Sequence, residues 1–267
     1  MFEPLYVAAT GMNVFQDEMV DVTNNLANAR TVGFKAGRTE KESLFTIERT
    51  FQQELRDQMI SQGMTPAYGP IEYGTGVRVV STPKDFTQGT LETTNSPLDI
   101  AIQGEGFFKY TLADGTYAYG RAGSLHVDDQ GNITDPNGYI LQPQITVPEG
   151  TTKILIRQDG TVSVSINNSI QTEDIGQISV TRFMNPAGLK SVGQNLFTET
   201  DSSGTPVDGV ANQEGYGAIS QYSLEGSNVD VISEMMRMVI IQRVFDTVTK
   251  AVQSYDGMLT SIERMKS

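Results

Sequence analysis

The sequence predicts an α+β protein: long N- and C-terminal helices paired as a coiled-coil-like core, with an all-β middle domain. Three observations carry that reading. Apolar residues recur at heptad spacing near the N-terminus, they do so again near the C-terminus, and between these ends they alternate in short runs bounded by turn signals.

In the first helix Leu5, Met12, Met19 and Leu26 recur every seven residues, with Ala8, Phe15 and Val22 interleaved. Pro4 suits a first helical turn, where its missing N–H removes nothing. Thr10-Gly11 is the weak point. The stop is "NNLANARTVGFK", residues 24–35: Asn28 or Gly33 is expected to close the helix, because both residue types tolerate the left-handed backbone, and Phe34 to pack back beside it. Residues 36–70 read as an extended segment or as a continuing helix through "EKESLFTIERTFQQELRDQMISQ", broken at "GMTPAYGP". From about Ile71 to Ala218, stretches such as "VRVVST", "LDIAIQG", "ILIRQDGTVSVSI" and "QISVTRF" alternate, and "DG", "QGN" and "PNG" sit at hairpin spacing. In the last helix Met238, Phe245, Val252 and Leu259 recur by sevens, with Ile241, Val248, Tyr255 and Ile262 between them. Ser227 or Asn228 is expected to cap its start, with Asp230 and Glu234 at the positive end of its dipole.

The expected organisation is a helical core from residues 1–70 and 220–267, and a β-rich outer domain over 71–219. A heptad seam is a narrow apolar stripe, and a helix with only that stripe is marginal alone. Leu5, Met12, Phe15, Met19, Val22 and Leu26 are therefore expected to pack against Met238, Ile241, Phe245, Val248, Val252 and Leu259, and both helices then against neighbours. An ordinary intramolecular helical hairpin fits the periodicity too.

Net charge is −13, which argues against nucleic acid and anionic membrane as partners. The acid is concentrated in the middle: residues 67–229 hold eighteen acidic and eight basic side chains, whereas 230–267 hold five of each. With Cys 0, a disulfide framework and a thiolate metal site are both excluded. No apolar run approaches the length of a membrane span, and the first basic residue is Arg30, so neither direct membrane insertion nor a cleaved signal peptide is expected.

An enzyme must present a constellation, and the candidates here are thin. The single histidine, His126, lies in strand-like "SLHVD" and reads as a surface residue. "GEGFF" at 104–108 has no helix after it to hold a phosphate, so it reads as a tight turn. "DDQGN" and "DPNG" lack the spacing of a calcium loop and read as hairpin turns. Asp128 and Asp129 are adjacent and point apart, unlike a glycosidase pair. Glu18 and Asp21 share a helix face and read as a solvated stripe. No catalytic, metal or cofactor site is expected. A cell-wall-binding β module on a helical stalk is the alternative of another class, but a stalk explains one seam and not two.

Asn24, Asn25, Leu26, Ala27 and Asn28, followed by Thr31, Gly33, Phe34 and Lys35, resemble the N-terminal signature of flagellar basal-body rod and hook proteins. "EGSNVDVISEMMRMVIIQRVFDTVTKAVQSYDGML" resembles their C-terminal signature, and "TQGTLETTNSPLDIAIQGEGFFKY" and "YGRAGSLHVDDQGNI" resemble their β body. The likeness covers nearly the whole chain, departs at Ala29-Arg30, and looks strongest toward the distal-rod branch, with proximal rod and hook-type axial proteins as alternatives. It implies a structural subunit that stacks helically with copies of itself into a hollow, torque-transmitting shaft. It further implies export by the flagellar type III apparatus, contacts with proximal rod proteins, the hook protein and the surrounding peptidoglycan and outer-membrane rings, and a place in the basal body from periplasm to outer membrane.

Overall fold

A computed structural model describes residues 3–48, 58–61, 72–166 and 171–266. The chain is α+β and divides into two compact units, one of Met1–Asn24, Arg38–Pro83 and Ile232–Ser267, the other of Asn25–Gly37 and Lys84–Val231.

The first unit is built on two helices, α1 (Glu3–Ala27) and α2 (Val231–Lys266). Both begin and end close to where heptad spacing starts and stops. Between them the chain forms ribbons: β1 (Glu40–Ser43) pairs antiparallel with β4 (Val77–Ser81), and β2 (Thr46–Glu48) with β3 (Glu72–Gly74). Residues 58–61 are helical, while 49–57 and 62–71, including the "GMTPAYGP" break, lie outside the described residues. Strand structure thus begins at Glu40, ahead of the position where alternation becomes visible in the sequence. All four β1 side chains are exposed, and a two-stranded ribbon is not stable by itself. Polar ties hold it on α1. Thr39 Oγ1 donates to Asp21, Lys41 Nζ donates to Glu18, and the Val77 N–H reaches Thr10 Oγ1 at 3.4 Å. Glu18 and Asp21 are therefore not a solvated stripe: Glu18 is buried, and the ribbon takes up both carboxylates.

Among the described residues the second unit is β apart from one 3-10 turn, the last residues of α1 (25–27) and the first of α2. Its strands are β5 (Leu91–Thr93), β6 (Ile100–Gln103), β7 (Phe108–Thr111), β8 (Tyr117–Gly120), β9 (His126–Val127), β10 (Ile133–Thr134) and β11 (Ile140–Gln142). They continue as β12 (Thr151–Ile156), β13 (Thr161–Ile166), β14 (Glu173–Gln177), β15 (Ser179–Arg182), β16 (Lys190–Gly193), β17 (Leu196–Thr198), β18 (Val207–Val210), β19 (Ala218–Gln221) and β20 (Ser223–Glu225). The largest sheet has the order β16-β17-β8-β7-β11-β10-β9, and β12-β13-β14 form a second. The pairs β5–β20 and β6–β19 bring the last strands of the unit back onto its first ones.

Alternation places Ile100, Ile102, Phe108, Tyr110, Ile133, Leu141, Val162, Ile178 and Ile219 in one apolar core. A smaller aromatic cluster joins Phe107, Tyr119, Phe183 and Phe197 with Phe86, the rings meeting edge to face. The turn motifs act as turns. The Asp128 carboxylate accepts the Gln130 and Asn132 N–H groups, and Asp135 accepts those of Asn137 and Tyr139. Gly131 and Gly138 follow in the left-handed region, at φ 86° and 85°. "GEGFF" is likewise a turn leading into β7, and His126 is exposed on β9.

Candidate assembly surfaces and the meeting of the two end motifs

On α2 the heptad residues face inward. Ile241 is buried, and Met238, Phe245, Val248, Val252, Tyr255 and Leu259 are half-buried. A second apolar stripe runs along the same helix: Ile232, Met235, Met236, Val239 and Ile240 are exposed by 46 to 70%. At 100° per residue these five centre about half a turn from the heptad seam. The start of α2 therefore carries apolar side chains on two opposite faces, with Ser233, Glu234 and Arg237 as the polar residues between and beside them. Beyond Ile240 the outward face turns polar, with Arg243, Asp246, Thr247 and Lys250.

On α1 the deepest line runs through Val14, Glu18 and Val22, one strip to the side of the seam centre, and Leu5, Met12, Phe15, Met19 and Leu26 are half-buried. Tyr6 and Val20 are exposed on the far side. Two side-chain contacts link α1 and α2 in antiparallel sense. Glu18 Oε1 accepts from Arg237 Nη2 at 2.8 Å and Nε at 3.1 Å, and Thr249 Oγ1 lies 4.0 Å from Met12 Sδ. Burial alone would raise the Glu18 pKa, but the hydrogen bonds and charges of Lys41 and Arg237 outweigh it and hold the carboxyl below its ordinary value.

The signature residues at the two chain ends meet inside the second unit. α1 stops at Ala27, and 3-10-type bonds from the Asn28 and Ala29 N–H groups to Asn25 and Leu26 close its last turn. Asn25 then clamps the returning chain through both amide atoms, each 2.9 Å from the Gly37 backbone. Gly33 does not cap the helix. At φ 68° it lies against Ala122, where an added Cβ would fall 2.5 Å from the Ala122 nitrogen. Phe34 is buried beneath the Lys84 ammonium.

Lys35 is wholly buried, 2.7 Å from Glu225 Oε1 and 2.6 Å from the Thr87 carbonyl. Arg121 approaches Glu225 Oε2 at 3.4 Å, and the Gly89 N–H donates to Oε1 at 3.0 Å. Desolvation lowers the pKa of both Lys35 and Arg121, with the Glu225 charge opposing the shift. Asn228 is no helix cap, since α2 starts at Val231. Its Oδ1 accepts the Ala36 N–H at 2.8 Å, and its Nδ2 donates to the Asp85 carbonyl at 2.8 Å. Asn24, Ala27 and Thr31 complete the stretch, the Thr31 hydroxyl bonding Asn28 Oδ1 at 3.1 Å. Sequence reading singled out Lys35 and the "EGSN" run but not their encounter, nor Arg121, nor the second stripe on α2. The one available signal was a Lys and a Glu in the otherwise uncharged runs "TVGFK" and "LEGSNV".

Among the described residues no group of three His, Cys, Asp or Glu side chains could hold a metal ion, and no helix is long and apolar enough to cross a membrane.

Comparison with known proteins places the chain in a family. Family descriptions match in three places: "Flagella basal body rod protein" at residues 5–35, "Flagellar hook protein FlgE/F/G D1 domain" at 101–164 and "Flagellar basal body rod FlgEFG protein C-terminal" at 220–265. The chain is 38% identical to the flagellar basal-body rod protein FlgG of Borreliella burgdorferi, over 100% of this chain and 99% of that one. It is 37% identical to FlgG of Caulobacter vibrioides over 99% and 100%, and 33% identical to FlgG of Bacillus subtilis over the full length of both. With three family matches spread along the chain and full-length relatives above 30% identity, the chain belongs to the flagellar basal-body rod protein family.

Proposed function

We propose that this chain is a structural subunit of the flagellar distal rod, polymerising helically with copies of itself into a hollow shaft that carries torque between motor and hook. The observation that carries the reading is the exposed apolar stripe at the start of α2, opposite the half-buried heptad seam, which the monomer leaves uncovered. Leu5, Met12, Phe15, Met19, Val22 and Leu26 pair with Met238, Ile241, Phe245, Val248, Val252 and Leu259 in a coiled-coil-like core, and the outward stripe meets the next subunit. The helices form the inner tube and the β unit the outer wall. Transmitting torque calls for many side contacts and no chemistry. The end faces of the polymer meet proximal rod proteins and the hook protein, its flank meets the peptidoglycan and outer-membrane rings, and subunits arrive through the flagellar type III export apparatus.

Limited proteolysis of the purified monomer, with fragment masses, tests this. Early loss of α1 and α2, leaving a fragment that contains 84–228, is the expected result. Helices that resist digestion as long as the β unit does would mean that the outward stripe needs no cover from a neighbour, and the polymer reading would fall.

A further inference from the structure

Among the described residues Glu225 is the one carboxylate in contact with both buried cations, Lys35 and Arg121, with Asp85 and Glu105 acting on them from farther off. The stretch it holds, residues 33–37, makes little regular sheet, its one ladder contact being the bridge from Gly37 to Lys84. Its backbone bonds go elsewhere. The Gly33 N–H donates to the Glu225 carbonyl at 2.8 Å, the Ala36 N–H to Asn228 Oδ1, the Gly37 N–H to Asn25 Oδ1, and the Ala36 carbonyl accepts from the Asp85 N–H at 2.8 Å. The Phe34 N–H also donates to the Thr31 carbonyl and the Gly37 carbonyl accepts from Asn25 Nδ2, so two of these six bonds go to residues 225–228 and two to Asn25, while the Lys35 ammonium adds a third tie to Glu225. Phe34 is the main apolar anchor of the stretch. Polar ties with a single large apolar anchor are the features of segments that open without the core opening.

Sequence distance adds a second consideration. Lys35 and Glu225 are separated by 190 positions. In any chain that emerges from its N-terminus, Lys35 and Arg121 appear long before their carboxylate. Until it arrives, burying them leaves each charge without a contacting counter-ion, which is disfavoured. The strands that bring Glu225 into place, β19 and β20, are also the last in the unit.

We propose that Glu225, with Asn228, is a late-closing latch: it docks residues 33–37 on the β unit after the C-terminal strands have paired, and these residues release as one piece, with the β core intact, when the latch is weakened. The proposal goes beyond the rod reading and stands without it, because it concerns the monomer alone.

Hydrogen exchange on the full-length monomer tests it, comparing the parent chain with Glu225→Gln and Lys35→Met. In Glu225→Gln two buried cations lose their anion, so the amides of Gly33, Ala36 and Gly37 should exchange at least tenfold faster, while those of Phe108 and Tyr110 keep their parent rates. Lys35→Met leaves Arg121 paired with Glu225 and should accelerate the same amides less. If Glu225→Gln does not fold, Asn228→Ala carries the test: the Ala36 amide should accelerate while β7 stays protected. Unchanged exchange at 33–37, equal acceleration throughout the unit, or a larger effect from Lys35→Met than from Glu225→Gln would each overturn the proposal.

Discussion

Replacing Glu18 by Gln keeps the side-chain shape and removes one charge from a site where two cations converge. Glu18 is 6% exposed, accepts two hydrogen bonds from Arg237, and is bonded by Lys41 from the ribbon. Hydrogen bonds to a charged group are each worth roughly 1.5–3 kcal/mol when well shielded. Lys41 and Arg237 are about one third exposed, so solvent screening takes each contribution toward the surface range of about 0.2–1 kcal/mol. A net loss of about 2 kcal/mol for the first unit follows, equivalent to a helical melting transition lowered by about 10 °C for a unit of this size. The sign with pH is fixed by the depressed Glu18 pKa. Its contribution is present above the ordinary carboxylate value of 4.5 and disappears as pH falls through the lower folded value. Thermal melts followed by far-ultraviolet circular dichroism should therefore show a gap between parent and Glu18→Gln that is full at pH 7 and narrows in acid. In a double-mutant cycle with Arg237→Met, the two changes should couple by about 1 kcal/mol. Identical melts at neutral pH, or additive effects in the cycle, would show that the Glu18 contacts do not join α1 to α2.

Two neighbours on α2 separate folding from assembly. Ile241, at 4% exposure, should lose about 2–4 kcal/mol of first-unit stability on change to Ala, whereas Ile240, at 60%, should change monomer melting by less than about 0.5 kcal/mol. A denaturant titration of both variants checks this, and equal effects would contradict the two-sided reading of the helix. Gly33→Ala places a Cβ 2.5 Å from the Ala122 nitrogen at a left-handed φ, so it should destabilise the second unit by about 2 kcal/mol or more. Urea unfolding followed by tyrosine fluorescence would register the loss, and wild-type stability would mean that the 33–37 stretch is not docked as described.

The parts of the fold that were legible in the sequence are those written in local periods. Heptad spacing marked α1 and α2 because one face of each helix is apolar over many turns. Asp128, Asp135 and their glycines marked hairpins because the carboxylate satisfies the turn's own N–H groups. β1 left no such trace. Glu40-Lys41-Glu42-Ser43 is exposed on both faces and held by polar ties to α1, so alternation has nothing to report. Glu18 and Asp21 looked like solvent-facing acids because their partners Lys41 and Thr39 lie 23 and 18 positions further along the chain. The Lys35–Glu225 pair is a contact across nearly the whole chain, and pairing at that distance has no local signature. The outward stripe of α2 was present as letters, but a heptad frame picks out one face of a helix and passes over the other.

The central claim is that the helix faces exposed in the monomer are the surfaces that build the rod. The most direct measurement is electron microscopy of basal bodies isolated from a flagellated bacterium whose own copy of this gene carries Met236→Glu and Ile240→Glu. Both side chains point outward, so the purified monomer should keep its melting temperature. The account predicts basal bodies with truncated rods and cells that do not swim. Full-length rods and normal swimming, from a variant that folds like the parent, would contradict it.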